Sequence, residues 1–228
     1  MIYVTGDLHG SMNRVIKFNE MIKGIEEPVV LLVAGDFGIW DERGLVELRG
    51  VFARLRPNLT VAFVDGNHEN FDLLEEYIPI THWGGKVRRI FPNLYHLMRG
   101  EVYTILGRKV LAFGGATSID KKWRNPGSSW WPQEHWSQHD LNRLEELIGD
   151  PDLEVDIILT HEAPKEIFNQ IKRYSNKVND FIPTGLQLIL DTIPFKLWYF
   201  GHHHLDFEVE TNNDYKIFGV YGDIRKVE

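Results

Sequence analysis

The 228-residue chain contains no cysteine. That single absence removes disulfide scaffolds, thiol nucleophiles and thiolate metal sites. Basic residues are also in short supply, with 25 Lys and Arg against 33 Asp and Glu and a formal charge of -8. Such a balance argues against a nucleic-acid coat or an anionic membrane surface as partner. It leaves a phosphorylated substrate open, because bound metal ions reverse a local field. No apolar run approaches membrane-spanning length; "VVLLVA" is among the longest. The opening "MIYVTGDLHG" lacks a basic n-region and a long apolar h-region. The expectation is therefore no secretory signal and a cytoplasmic location.

What is present is a large apolar complement. Hydrophobic residues make up 43% of the chain and include 13 Phe, 7 Trp and 8 Tyr. This is enough to fill a sizeable core, and no repeat, low-complexity tract or linker divides the chain. A single globular domain over residues 1–228 is expected.

Five short apolar runs end abruptly in glycine or polar residues: "IYVTGDLHG", "VVLLVAGDFG", "LTVAFVDGNHEN", "VDIILTHEAP" and "KLWYFGHHH". Their β-branched and aromatic content, without polar alternation, suits strands buried on both faces. Helical periodicity lies between the early runs. Residues 12–25 gather Val15, Ile16, Phe18, Met21 and Ile22 on one face, and 44–55 gather Leu45, Leu48, Val51, Phe52 and Leu55. Strands alternating with helices predict an α/β layered fold. "EVYTILGRKVLAFGG" reads as a hairpin turning at Gly107-Arg108, and "FEVETNNDYKIFGVYG" as another turning at Asn212-Asn213. Hairpins imply mixed sheets. Residues 120–136 carry four of the seven tryptophans and read as a long loop before a helix at 133–148, whose apolar face includes Trp136, Leu141, Leu144 and Ile148.

Each buried run is followed at once by potential metal ligands: Asp7 and His9, Asp36, Asn67 and His68, His161, then His202, His203 and His204. In an open α/β sheet the crevice lies beyond the carboxyl ends of the strands, so groups scattered in sequence converge there. Residues two apart in an extended segment point the same way. Asp7 pairs with His9 on that logic, and His202 with His204, while His203 points elsewhere. Taken singly these signals are ordinary; "GD" is common in turns, and Asn67 could equally cap one. His82, His96, His135 and His139 are expected to be packed or surface residues. The joint pattern is what points to a metal site.

The ordered set D-x-H, G-D, G-N-H-E, a lone H and G-H-x-H resembles the calcineurin-like metallophosphoesterase superfamily, through "GDLHG", "AGDFG", "DGNHE", "LTHEAP" and "GHHH". The resemblance implies a β-sandwich of two mixed sheets flanked by helices, with a dinuclear metal site at the carboxyl ends of the strands. By position, the first ion would take Asp7, His9, Asp36 and His204. The second would take Asp36, Asn67, His161 and His202, with Asp36 bridging. His68 matches the family's non-ligand histidine that acts on the leaving group, oriented by Asp65 or Asp41.

The implied activity is hydrolysis of a phosphomonoester or phosphodiester by a metal-bridging hydroxide, since two cations about 3.5–4 Å apart stabilise both attacking and leaving oxygens. Imidazole, carboxylate and amide ligands suit Mn²⁺, Fe, Zn²⁺ or Co²⁺, with Mn²⁺ the expected ion. Expected partners are a small phosphorylated metabolite, a nucleotide or a phosphoprotein; no sustained nucleic-acid-binding stripe appears. A catalytically silent scaffold of the same fold is the alternative, disfavoured because every ligand is kept.

One departure concerns the phosphoprotein phosphatases of the superfamily, which show G-D-x-x-D-R-G. Here "GDFGIWDERG" displaces Arg43, so the family role is not carried over, yet Arg43 stays a candidate to reach the site and bind substrate. Two readings stay open for the Trp-rich loop, residues 118–136. Lys122, Trp123 and Arg124 hold phosphate and stack a base over the site, or the tryptophans merely pack the loop down with the cations solvated.

Overall fold

The computed structural model describes residues 1–171, 181–209 and 214–228. Two mixed sheets pack face to face. The first runs in the order β13 (Arg225–Lys226), β1 (Ile2–Thr5), β2 (Val29–Val33), β3 (Leu59–Phe63), β6 (Leu94–Leu97), β5 (Gly85–Phe91) and β4 (Pro79–His82). The second runs β11 (Phe207–Val209), β12 (Lys216–Gly219), β10 (Leu197–Phe200), β9 (Ile157–Thr160), β8 (Arg108–Phe113) and β7 (Glu101–Ile105). In both, the central strands are parallel and the outer strands antiparallel. The five expected strands are β1, β2, β3, β9 and β10, all central.

Alternation along each strand sorts its side chains into separate layers. Ile2, Val4, Val30 and Leu32 meet Val110, Ile157, Leu159 and Tyr199 between the sheets. Tyr3, Leu31, Val33 and Val61 face the other way, against Val15, Phe18 and Ile22 of α1 (Asn13–Met21) and its C-terminal turn, and Leu45, Leu48 and Phe52 of α2 (Glu42–Phe52). On the far side, Leu111, Ile158 and Trp198 pack against α4 (Gln138–Ile148), α5 (Lys165–Ile171) and α6 (Ile182–Thr192). A short helix, α3 (Phe71–Glu75), follows β3. Among the described residues, no helix is long and apolar enough to cross a membrane.

Several local expectations shift. On α1, Ile16 and Met21 are exposed, so the buried stripe is Val15, Phe18 and Ile22. The second helix starts earlier than residue 44, because the Asp41 side chain caps it by accepting from the Gly44 N–H. The fourth starts later than 133. A 3₁₀ turn at Pro132–Glu134 comes first, and Ser137 and Asp140 then form a capping box. The β7–β8 turn sits at Leu106-Gly107, with Ile105 paired to Arg108. Both turn residues have positive φ, 47° and 82°, the geometry a two-residue hairpin needs. Strands β11 and β12 pair antiparallel as expected, and the turn at Asn212-Asn213 lies outside the described residues.

The layer between the sheets sets the stability of the whole. Leu32 is fully buried there, whereas Val46 on α2 is exposed. Leu32→Ala is expected to cost about 2–5 kcal/mol and Val46→Ala less than about 0.5 kcal/mol, measured by urea denaturation. Equal losses would mean that the layer is not the core.

Candidate metal centre

Strands β1, β2 and β3 in one sheet and β9 and β10 in the other all finish at the same end of the sandwich, where the chain turns sharply. Among the described residues, seven other than glycine have positive φ, and five of them are Asp7, His9, Asp36, His202 and His204. Asp and His tolerate this region better than most residues, yet a non-glycine residue there still carries strain. Backbone strain therefore concentrates on the expected ligands. Space is equally tight, because a β-carbon on Gly66 would overlap the Asp36 carboxylate and main chain.

The turns bring the ligands together. One ligand atom from each of Asp7, His9, Asp36 and His204 lies within 4.8 Å of the other three. His9 Nε2 is 3.0 Å from His204 Nε2 and 3.7 Å from Asp36 Oδ2. His204 Nε2 is 3.5 Å from Asp7 Oδ1. On the other side of Asp36, His161 Nε2 lies 3.3 Å from Oδ1 and 3.2 Å from Asn67 Oδ1. The His202 ring is 5.0 Å from the His161 ring. Asp36 thus turns one oxygen to each group of ligands.

Supporting bonds leave the ligand atoms exposed to the cluster. His161 Nδ1–H donates to the Ala34 carbonyl at 2.7 Å, which keeps Nε2 aimed inward. Asn67 Nδ2 donates to Ser118 Oγ at 3.0 Å, and Ser118 donates to buried Glu134 at 2.6 Å, so the Asn67 oxygen is the atom presented. His203 is buried with Nε2 2.6 Å from Glu162 Oε1; it supports the site from behind. Glu69 accepts from the N–H groups of Phe37, Gly38 and Ile39 and braces the loop after β2. Arg14 on α1 donates to Thr5 Oγ1 and to the carbonyls of Gly6 and Tyr221, fixing the turn before Asp7.

The charges fit cations. Asp7 Oδ2 is buried with no hydrogen-bond partner, an arrangement that an apolar or neutral filling does not explain. Burial would lower the His161 pKa, yet the charge and hydrogen bond of Asp36 raise it to about 10. A proton on His161 thus compensates the carboxylate, as a cation would. Burial pushes His202 down to about 3 and lowers His9, so both present neutral imidazoles able to ligate. Asp7, His9, Asp36 and His204 therefore suit a cation in donor type and in charge, and Asn67, His161 and His202 supply the donor types a second would take.

The remaining expectations divide. The His68 ring sits 5.3 Å from the His9 ring, and its backbone N–H donates to Asp36 Oδ1 at 2.8 Å. Neither proposed aspartate orients it. Asp41 caps α2, and the Asp65 carboxylate is engaged by His96 at 3.1 Å and by Arg99 at 2.9 and 2.5 Å. Arg124 is the residue that meets His68: its Nη1 and Nη2 lie 3.0 Å from the two ring nitrogens. Asp120, 2.7 Å from Arg124 Nε, and the Ser129 carbonyl hold that guanidinium. Burial, helped by the charge of Arg124, pushes His68 down to about 4.

Arg43 is not brought to the centre. Its side chain is 88% exposed on α2 and faces Glu47 at 3.4 Å, so the expectation that it binds substrate is not met: the displaced motif puts it on the solvent side of the helix. In the Trp-rich loop, Trp130 and Trp131 are buried packing residues, with Trp131 Nε1 donating to Asp72. Trp123 is 79% exposed, with the Lys122 ammonium 5.0 Å from its ring centre. Trp40, not singled out in sequence, stands edge-on to His68 at 5.9 Å.

A family model described as calcineurin-like phosphoesterase matches residues 1–206, and the chain belongs to that family. Family membership makes it a hydrolase of the phosphoester type. It is 27% identical over 240 residues to a protein of Haemophilus influenzae described as uncharacterized, covering 96% of this chain and 90% of that one. It resembles the phosphopantetheinyl hydrolase of Mycobacterium tuberculosis with a TM-score of 0.47 at 15% identity, over 96% of this chain and 89% of that one. A 5'-nucleotidase precursor from Thermus thermophilus gives 0.45 at 15% identity, over 96% and 48%. Neither structural likeness bears on the substrate of this chain.

If Asp36 serves both ligand groups, Asp36→Asn should strip most of the metal, whereas Lys122→Gln should strip none. Elemental analysis of the two purified variants by plasma mass spectrometry checks this. Full metal content in Asp36→Asn would refute the shared carboxylate.

Proposed function

We propose that the protein is a phosphoesterase that holds two divalent ions, Mn²⁺ being the expected pair, and acts on a small phosphorylated metabolite or nucleotide. The observation that carries this reading is Asp36, whose Oδ2 faces His9 and whose Oδ1 faces His161. When bound, the two ions supply Lewis-acid activation of water and charge stabilisation at phosphorus. The chain's own part is to fix the geometry. Asp7, His9, Asp36 and His204 form one ligand group, and Asp36, Asn67, His161 and His202 the other.

His68 stands beside these groups with its ring against Arg124, and is the residue to stabilise the leaving oxygen through its N–H. Arg124 grips the phosphoryl group. A neutral imidazole has one N–H and one lone pair, so only one of the two 3.0 Å contacts between Arg124 and His68 is a hydrogen bond. The guanidinium keeps donor capacity that a phosphoryl oxygen satisfies. Exposed Trp123 and Trp40 offer aromatic faces and edges at the rim, which favours a nucleotide or another ring-bearing ester. The solvent-directed Arg43 argues against phosphoprotein as substrate.

Reconstitution with Mn²⁺ and assay on matched aryl monophosphate and bis-aryl phosphate should show turnover of at least one. None with Mn²⁺, Fe²⁺, Zn²⁺ or Co²⁺ would leave the silent-scaffold reading. His68→Ala should keep its metal while losing about 10²–10⁴-fold in kcat. Arg124→Gln should instead raise KM about tenfold, one charge-assisted bond's worth, with metal content unchanged. Unaltered KM in that variant removes Arg124 from substrate binding.

A further inference from the structure

Two polar residues of the Trp-rich loop are buried behind the centre without being ligands. Ser118 is 4% exposed and Glu134 is fully enclosed. Enclosing a carboxyl group is costly unless its oxygens find donors. Here both oxygens are given to a single residue. Glu134 Oε1 accepts from the Ser118 N–H at 3.0 Å, and Oε2 accepts from the Ser118 hydroxyl at 2.6 Å. The second distance lies in the short range of hydroxyl-to-carboxylate bonds.

A serine hydroxyl has one hydrogen. With that hydrogen committed to Glu134, Ser118 Oγ can only accept on its other side. What stands there, at 3.0 Å, is Asn67 Nδ2. The two ends of an asparagine amide are alike in shape and opposite in chemistry: the oxygen can ligate a cation and the NH₂ cannot. Turned over, Asn67 would set its oxygen against the Ser118 lone pairs and its N–H groups toward the ligand cluster. The Ser118–Glu134 pair therefore decides that Oδ1 is the atom 3.2 Å from His161 Nε2.

One guanidinium braces both ends of this relay. Arg99 donates to the Asp65 carboxylate, just before Asn67, and to the carbonyls of Gln133 and His135 on either side of Glu134. The chain leaving β8 also passes close to that turn. A β-carbon on Gly115 would lie 2.9 Å from the Glu134 carbonyl oxygen.

We propose that Ser118 and Glu134 are positioning residues for Asn67, through which the Trp-rich loop sets the affinity of the second ion, the one assigned to Asp36, Asn67, His161 and His202. This role rests on the two-ion reading and adds to it residues that touch neither metal nor substrate. The first ion, assigned to Asp7, His9, Asp36 and His204, lies outside the relay.

Titration of the full chain, stripped of metal, with Mn²⁺ tests the role. The paramagnetic resonance signal of the free ion gives the stoichiometry and the affinity of each site. The wild type should bind two ions. Ser118→Ala and Glu134→Gln should bind the second about 10–100-fold more weakly, the usual cost of losing a residue that orients a ligand, with the first unchanged. Ser118→Ala removes a single oxygen and carries the test if Glu134→Gln does not fold. In an Asn67→Ala background, Ser118→Ala should cost nothing further, because it acts only through the amide. Trp131→Phe loosens the same loop elsewhere, by removing its bond to Asp72, and should leave both affinities alone. Wild-type affinity in the Ser118 and Glu134 variants, an additive loss in the double variant, or an equal loss in Trp131→Phe overturns the relay and leaves the two-ion reading standing. A wild type that binds fewer than two ions overturns that reading, and the relay with it.

Discussion

The centre depends on one carboxylate being held where carboxylates are costly. Asp36 is buried, in left-handed backbone, pressed against Gly66, and faced by imidazoles on both sides. Buried charge of this kind persists only when opposite charge is supplied. Without a cation, the charge of Asp36 favours a proton on His161, and a cation would compete with that proton for the same lone pairs. The strained turns, the absent side chain at residue 66 and the fully packed sheets behind them all serve to keep that carboxylate in place.

The support around it is asymmetric. On the Asp7 side, Arg14 ties the first turn to the end of the chain through the Tyr221 carbonyl. On the Asn67 side, the support comes from Ser118 and Glu134, which belong to the Trp-rich loop. That loop therefore packs down, as one of the two sequence readings had it, and it also reaches the centre. Trp130 and Trp131 pack it down, and Arg124, Ser118 and Glu134 connect it to the centre.

Much of this was legible in advance. Central strands betrayed themselves by unbroken apolar runs, and their ends by ligand-type residues after glycine. Hence β1, β2, β3, β9 and β10 were found, with the residues that follow them. Strands β4 and β5 escaped notice, since "THWGGKVRRIF" mixes charge with apolar residues as an antiparallel edge does, and β6 escaped as a run of only four residues, "LYHL". Glu69 was visible within its motif, but that it would accept three backbone N–H groups was not. Ser118 and Glu134 carried no signal at all: a serine and a glutamate 16 residues apart in a loop become partners only once the loop is folded. Arg43 was doubted on its displaced motif and does point to solvent.

The ligand order along the chain has a consequence for biogenesis. His9 and His204 meet although they stand 195 positions apart in sequence, and strands β9 and β10 come late in the chain. A chain made only through the turn after β3 already carries Asp7, His9, Asp36 and Asn67, yet lacks three of the four imidazoles of the two proposed ligand groups. On the proposed reading, both groups are complete only once the second sheet has closed, so loading of a metal pair would fall at the end of folding rather than at its nucleation.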